Sequence, residues 1–141
     1  MRGPPGSGKS TYANKHFPDA AIVSSDNFFM VDGEYRFNPA KLSEAHNWAM
    51  EQVIRFLANA KPTVVVDNTN IHIWEYRKYV CLANLAGYDL EVIQFRPLSI
   101  DDIRLCIERN THGVPADVVA RMCYEFEDDE EAEDIRIQHH A

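Results

Sequence analysis

The sequence contains no long hydrophobic run and few cysteines, and both shortages restrict the kind of protein it can be. No apolar stretch approaches the roughly 18 residues of a membrane-spanning helix, and the start lacks the pattern of a signal peptide. The three cysteines, Cys81, Cys106 and Cys123, lie far apart and show no metal-binding or redox spacing. We therefore predict reduced, partly buried thiols, no membrane segment and a cytoplasmic location.

Positive charge is also scarce. The chain has 14 Lys and Arg residues against 22 Asp and Glu residues, which gives a formal net charge of -8 at pH 7. The imbalance comes from acidic residues near the C-terminus, namely Glu125, Glu127, Asp128, Asp129, Glu130, Glu131, Glu133 and Asp134. Without them the chain is neutral, so its body does not exclude an anionic substrate. We expect the acidic segment to be a solvated helix end or tail without a chemical role.

What the sequence does contain is a complete phosphate-binding motif at its start. The stretch "GPPGSGKST" fills the G-x-x-x-x-G-K-[ST] pattern and carries one additional glycine. Glycines let backbone N–H groups approach phosphates closely, and the helix that follows directs its positive end to the same place. We predict ATP binding by Gly3, Pro4, Pro5, Gly6, Ser7, Gly8, Lys9, Ser10 and Thr11. Lys9 would contact the β- and γ-phosphates, and the Ser10 hydroxyl would bind Mg²⁺.

Helix and strand patterns alternate along the rest of the chain, which is typical of an α/β fold. Strands are predicted in "AAIVSS" (20–25), "PTVVVDNTN" (62–70) and "DLEVIQF" (89–95), and a small hairpin is predicted around Asp32-Gly33. Helices are predicted over 10–17, from Pro39 to about Ala60, over 73–86, up to Asn110, and from Pro115. The predicted class is a P-loop NTPase or kinase sandwich of three layers with a mostly parallel sheet.

Two carboxylates follow predicted strands and are candidates for phosphoryl-transfer chemistry. Asp67 ends a hydrophobic strand, where it would bind Mg²⁺ directly or through water, and Asp26 ends another, where it could deprotonate an attacking hydroxyl. Each could instead cap a turn, which is common at strand ends. Arg109, beside a break between two helices, is the candidate that stabilises charge on the transferring phosphoryl group, and His112 is a weaker one.

Five segments together resemble the polynucleotide-kinase-like P-loop proteins. They are "GPPGSGKST", "SSDNFF", "YRFNPAKLSEAHNW", "VVVDNTNIHIWEYRKYV" and "RNTHGVPADVV", and the nearest likeness is to the kinase-like domain of animal ubiquitin-ligase-binding proteins and their phage and bacterial relatives. The resemblance implies a four-stranded parallel sheet, use of ATP and Mg²⁺, and transfer of a γ-phosphate to the 5′-hydroxyl of a polynucleotide or nucleotide. It implies one kinase-like domain over residues 1–124, followed by the acidic segment over 125–141. It gives Asp26 the place of the general base, Lys9 and Ser10 the P-loop roles, and Arg109 the place of a lid arginine.

The acceptor is less well defined, because the chain departs from this family on that side. The phage kinase has an arginine three residues after its base, where this chain has Phe29, and the basic lid stretch is shortened here to "NTHG". Two alternative functions therefore stay open, namely a small-molecule hydroxyl kinase and an ATP-binding switch without catalysis. The sequence also leaves the oligomeric state open. The candidate acceptor contacts are the polar Asn68, Thr69 and Asn70, with Phe28, Phe29 and Tyr35 as rings that could stack on a base.

A strand is also lacking where one is expected. Only Met1 and Arg2 precede the phosphate-binding loop, whereas a central strand normally leads into it. Without that strand, its two neighbours would leave unpaired backbone groups in the core, at a cost of several kcal/mol. We expect about five to seven further apolar, β-branched residues upstream of Met1, enough for one strand. In the alternative, the neighbouring strands close the gap.

Overall fold

The computed structural model describes residues 1–139, which form five α-helices and six short strands. The helices are α1 (Lys9–His16), α2 (Leu42–Ala58), α3 (Ile73–Ala86), α4 (Ile100–Arg109) and α5 (Ala116–Glu125). The strands are β1 (Ala21–Val23), β2 (Met30–Val31), β3 (Glu34–Tyr35), β4 (Val64–Val66), β5 (Ile93–Gln94) and β6 (Glu133–Asp134). Two 3-10 turns, Ser25–Phe29 and Pro39–Lys41, follow β1 and precede α2. None of the helices in this part of the chain is long and apolar enough to cross a membrane.

The helix boundaries follow from the local signals in the sequence. The Asn38 side chain accepts a hydrogen bond from the Ala40 N–H and so starts the turn that leads into α2. Gly87 ends α3 in the left-handed conformation, with φ of 75°. Ser99 caps α4 by accepting a hydrogen bond from the Asp102 N–H. The predicted helices, the three predicted strands and the hairpin of β2 and β3 are all found.

The parallel strands are brought together through the first two residues of the chain. β1 pairs with β4 in the register Ala21↔Val64, and β5 pairs with β6 in the register Ile93↔Glu133, both parallel. Between these pairs, the Arg2 N–H donates to the Ile93 carbonyl (2.9 Å), and the Arg2 carbonyl accepts from the Phe95 N–H (2.8 Å). The Met1 amino group donates to the Val66 carbonyl (2.9 Å). The order across the molecule is therefore β1, β4, Met1–Arg2, β5 and β6, and the fold is α/β with parallel strands.

A cavity of about 270 Å³, which Met1 and Arg2 help to line, lies between β4 and β5. Its walls include the facing strand residues, namely Val64, Val65, Val66, Val92 and Ile93, together with Val53 and Leu57 from α2. Met1 and Arg2 thus occupy one end of a strand position between two parallel neighbours, and those neighbours do not close onto each other. Within residues 1–139, β4 and β5 are not paired with each other.

The acidic segment, expected to be a solvated helix end or tail, has mostly exposed acidic side chains, but its backbone is attached to the body and is not a free tail. The Glu127 N–H donates to the Ile71 carbonyl, and the Glu133 N–H donates to the Val92 carbonyl, which starts β6. Beyond β6, Ile137 is buried in the apolar cluster that contains Phe95 and Val119. The difference arises because the backbone and apolar residues of the segment pack on the body while many of its carboxylates stay in water.

Arg2 helps to hold this segment in place, together with Gln94, whose amide donates to Asp128 and Asp134. Only 1% of the surface of Arg2 is exposed, and its guanidinium lies 4.8 Å from the centre of the Tyr76 ring and 4.5 Å from that of Phe126. It donates hydrogen bonds to the Ile71 and Glu127 carbonyls. A buried guanidinium needs such partners, since leaving the charge unpaired would be costly. Burial lowers the pKa of Arg2, and the surrounding tyrosine and acidic residues oppose that shift.

Candidate active site

The phosphate-binding loop is held in shape by close backbone packing. Gly6 has φ of 78°, and a Cβ there would overlap the carbonyl oxygen of Cys106 in α4. At Gly3, a Cβ would lie 2.6 Å from the Ser7 hydroxyl. Two glycines of the motif are therefore required by space as well as by backbone conformation. After the loop, α1 begins at Lys9 with Gly8 as its N-cap, so its first N–H groups face the loop.

Lys9 lies within this loop. Its Nζ donates to the Pro4 carbonyl at 3.2 Å. Burial lowers the pKa of Lys9, and nearby Asp67 partly offsets the shift. An ammonium held against loop carbonyls gains from an anionic partner, which is what the β- and γ-phosphates would offer.

Ser10 and Asp67, predicted to share Mg²⁺, are in contact. The Ser10 hydroxyl donates to Asp67 Oδ2 at 2.6 Å. Asp67 follows β4 and is 7% exposed, and within residues 1–139 its other oxygen, Oδ1, is buried without a hydrogen-bond partner. A hydroxyl beside a carboxylate with one unsatisfied oxygen suits Mg²⁺, which is usually held by one or two protein oxygens together with phosphate and water. The residues present therefore fit this ion.

Asp26 lies in the 3-10 turn after β1, and side chains from two other segments approach its carboxylate. The Tyr35 hydroxyl of β3 donates to Asp26 Oδ1 at 3.4 Å. From the break between α4 and α5, His112 Nε2 lies 3.8 Å from Asp26 Oδ2. Burial, together with the charge of Asp26 and the hydrogen bond to Asp26, raises the pKa of Tyr35 to about 12. The Tyr35 hydroxyl therefore keeps its proton at neutral pH. The carboxylate is half-buried, so it can still be reached.

Arg109, the predicted lid arginine, is the last residue of α4 and is partly buried. Within residues 1–139 its side chain makes no ion pair and no hydrogen bond. The break that follows is ordered by Asn110, whose Oδ1 accepts from the His112 N–H at 3.2 Å. The structure thus brings His112 to Asp26, while Arg109 stays a prediction on the strength of its position in the chain.

The residues after β4 connect the strands to the loop. Asn68 Oδ1 accepts from the Ser25 N–H at 2.8 Å, and the Thr69 carbonyl accepts from the Gly3 N–H at 2.8 Å. Asn70 is 5% exposed, and its amide donates to the Met1 carbonyl. The structure therefore does not support Asn70 as an acceptor contact, because its side chain is turned into the fold. Asn68 and Thr69 lie beside the candidate site, and their roles with an acceptor stay predictions.

The three aromatic residues predicted to stack on a base differ in exposure. Phe29 is 3% exposed and packs edge-on against Phe28, Tyr35 and Phe37, so its ring is not available and that prediction is wrong for this conformation. Phe28 and Tyr35 are partly exposed and remain candidates. Sequence reasoning missed Phe37, which is 51% exposed and lies parallel to the Tyr35 ring. Its place two residues after Tyr35, on the same side of an extended segment, was the available signal.

Comparison with known proteins agrees with this arrangement of loop, strand ends and helices. The structure is similar to a gluconokinase from Sinorhizobium meliloti 1021, with a TM-score of 0.60, 17% sequence identity, and coverage of 96% of this chain and 79% of that one. That likeness establishes a P-loop kinase fold. The AAA domain family AAA_33 matches residues 1–128, and the chain belongs to this family.

The curated relatives of this chain include a human protein and a bacterial one. Human NEDD4-binding protein 2 is 30% identical over 136 residues, which cover 90% of this chain and 7% of that protein. An uncharacterized protein from Pasteurella multocida (strain Pm70) is 28% identical over 137 residues, covering 86% of this chain and 72% of that protein. The chain therefore spans a small part of the human protein and most of the bacterial one. Together these findings support a nucleotide-binding domain of the kinase type.

Proposed function

We propose that this protein is an ATP- and Mg²⁺-dependent phosphotransferase that phosphorylates the 5′-hydroxyl of a polynucleotide or nucleotide. The observation that carries the proposal is the contact between the Ser10 hydroxyl and Asp67, with Asp26 in the turn that follows β1, the strand paired with β4. The contact joins the two side chains assigned to Mg²⁺, and Asp26 adds a second carboxylate that is separate from this pair. A module that only binds ATP needs the first two groups and has no use for the third.

The residues divide the reaction between them. The loop and Lys9 bind the β- and γ-phosphates, and Ser10 with Asp67 would hold Mg²⁺, which neutralises charge on the phosphates. Asp26 accepts the proton of the acceptor hydroxyl while the oxygen of that hydroxyl forms a bond to the γ-phosphorus. The bond from the γ-phosphorus to the bridging oxygen breaks, and ADP leaves. Arg109 is assigned to the negative charge that develops on the transferred group.

The test is transfer from labelled ATP to a panel of 5′-hydroxyl DNA, RNA and nucleosides. Asp26→Asn is the informative variant, because an amide can orient a hydroxyl but cannot take its proton. Loss of a general base typically reduces the rate about 10²- to 10⁴-fold, so we expect a fall of that size with ATP affinity unchanged. Asp32→Asn, in the turn of the neighbouring hairpin, is the matched control. Equal turnover by Asp26→Asn and the parent would remove the assigned role.

A second candidate function, phosphorylation of a small hydroxyl compound, is favoured by the charges around Asp26. Arg36, directly after β3, is a basic residue near the turn that carries Asp26, but its side chain pairs with Glu34 at 3.0 Å. A polynucleotide acceptor would be expected to meet more unpaired cations, since phosphate contacts dominate its affinity. The structurally similar gluconokinase is named for a small acceptor. Adding gluconate and other polyols to the panel separates the two candidates.

A further inference from the structure

A histidine that has no assigned role in the proposed reaction contacts the turn that carries Asp26. His46 lies on α2, and its Nδ1 is 3.2 Å from the Ser25 hydroxyl oxygen. Ser25 is 6% exposed and is the residue directly before Asp26. Its backbone N–H donates to Asn68 Oδ1, next to Asp67. His46 therefore contacts the residue directly before the candidate base. That residue, Ser25, is also bonded to Asn68, which directly follows the candidate metal ligand Asp67.

His46 occupies a position where an apolar residue would ordinarily pack. It shares a helix face with Ala49 and Val53, three and seven residues further on, and both are buried. A polar ring on such a face costs free energy unless it is hydrogen-bonded. Here its partner is the hydroxyl of Ser25, and α2 packs against the turn over residues 25–29. The contact thus adds a hydrogen bond between α2 and a turn that also packs on this helix through Phe28 and Trp48 and is bonded to Asn68 through the Ser25 N–H.

The ring is neutral at pH 7. Burial lowers the pKa of His46, as does Lys78 from α3, while Glu75 from α3 and Asp26 oppose the shift. A neutral imidazole has one donor and one acceptor nitrogen. With a hydroxyl as its partner, either tautomer can complete the hydrogen bond, because the Ser25 hydroxyl both donates and accepts.

We propose that His46 is a positioning residue, which holds the Ser25–Asp26 turn against α2 and so fixes the Asp26 carboxylate for transfer. The turn itself has two local hydrogen bonds, from the Asp26 N–H to the Ser24 hydroxyl (3.3 Å) and from the Asn27 N–H to the Ser24 carbonyl (3.1 Å). These set the shape of the turn but do not attach it to the helix beneath. The role rests on the proposed function, since it presupposes Asp26 as the base.

The kinetic test compares His46→Ala, His46→Asn and the parent with the best acceptor of the panel. A misplaced reacting group can cost up to about 100-fold in rate, so we expect His46→Ala to lower kcat about 10- to 100-fold, with the KM for ATP unchanged. Asn keeps a polar atom near the position of Nδ1 and should restore most of the loss. In a Ser25→Ala background, His46→Ala should have little further effect, because the contact is already gone. His16→Asn, on the far end of α1, is the matched control.

A second measurement does not depend on turnover. Amide hydrogen exchange at Ser25 and Asp26 should be about fivefold faster in His46→Ala, the factor that corresponds to about 1 kcal/mol for one hydrogen bond, while exchange in α2 is unchanged. Unchanged exchange at both amides would overturn the proposal. So would a uniform rise along α2 with a parallel loss of ATP affinity, because His46 would then only stabilise the fold.

The two proposals can fail separately. If no acceptor is phosphorylated, the proposed function fails, and the exchange experiment still decides whether His46 holds the turn. If Asp26→Asn abolishes transfer but His46→Ala matches the parent in kcat, the function stands and the role of His46 is refuted.

Discussion

Filling the cavity between β4 and β5 should stabilise the protein by several kcal/mol. The change is an extension of five apolar, β-branched residues fused directly before Met1, so that the added strand runs parallel to β4 and β5. Its backbone can pair with both neighbours, because parallel strands alternate the side to which they direct their N–H and C=O groups. Val66 already uses its carbonyl in this direction, to accept from the Met1 amino group.

The size of the effect can be worked from the cavity. At about 24 cal/mol per Å³, eliminating roughly 270 Å³ of cavity corresponds to about 6 kcal/mol, an upper value because the space opens towards solvent. Direct accounting agrees: five apolar side chains gain about 7 to 15 kcal/mol on burial, and ordering five residues costs about 7 kcal/mol. A gain of about 4 kcal/mol would raise the Tm by roughly 15 °C for a chain of this length.

Thermal unfolding followed by circular dichroism gives the answer, with a serine- and asparagine-rich extension of equal length as the control. Fusion also removes the buried amino group, whose pKa burial lowers to about 6. The polar extension shares that benefit, so the difference between the two extensions reports strand formation alone. If the apolar extension raises the Tm no more than the polar one, the cavity is not a strand position, and the reasoning from Met1 and Arg2 fails.

Three further predictions concern the loop and the start of α4. Lys9→Ala should weaken binding of a non-hydrolysable ATP analogue strongly in calorimetric titration, because it removes the charge aimed at the phosphates, and unchanged affinity would reject the P-loop assignment. Gly6→Ala should lower both stability and ATP affinity, since its Cβ would meet the Cys106 carbonyl, whereas Gly33→Ala meets no atom and should keep ATP affinity. Asp102 has a lowered pKa: burial opposes this, but the Leu98 N–H and His139 outweigh it, with His139 Nε2 at 2.6 Å. The folded-state pKa of Asp102 thus lies below the ordinary 3.8. Its ionised carboxylate therefore stabilises the fold above pH 3.8, and this stabilisation is lost as the pH falls further. In acid unfolding, the Asp102→Asn variant should not show this pH-dependent loss of stability.

Much of the fold could be read from the sequence because its signals are local. Gly87 ends α3, Ser99 caps α4, and the run Val64–Val66 is too continuously apolar for a half-exposed strand. The site followed from one rule, that ligands lie beyond the carboxyl ends of parallel strands, and the structure brings Ser10 to Asp67 accordingly.

Contacts between residues distant in sequence could not be predicted in the same way. Composition indicated a solvated acidic tail, whereas pairing of Glu133 with Ile93 and burial of Ile137 order it. The burial of Phe29 depends on rings from β3 and from the residues after it, and the side chain of Asn70 turns inward to reach Met1. In each case, the residue that makes the contact is brought near only by the folded structure, and no local sequence pattern indicates it.

Arg2 connects the start of the chain to the C-terminal segment. Its backbone is hydrogen-bonded to β5 directly before the phosphate loop, and its side chain donates to the Glu127 carbonyl at 2.7 Å. Releasing residues 127–135 would leave a buried guanidinium short of acceptors and loosen the anchor of the loop. We therefore expect ligand binding at the loop and ordering of the C-terminal segment to be coupled, and each would then favour the other by the same coupling free energy.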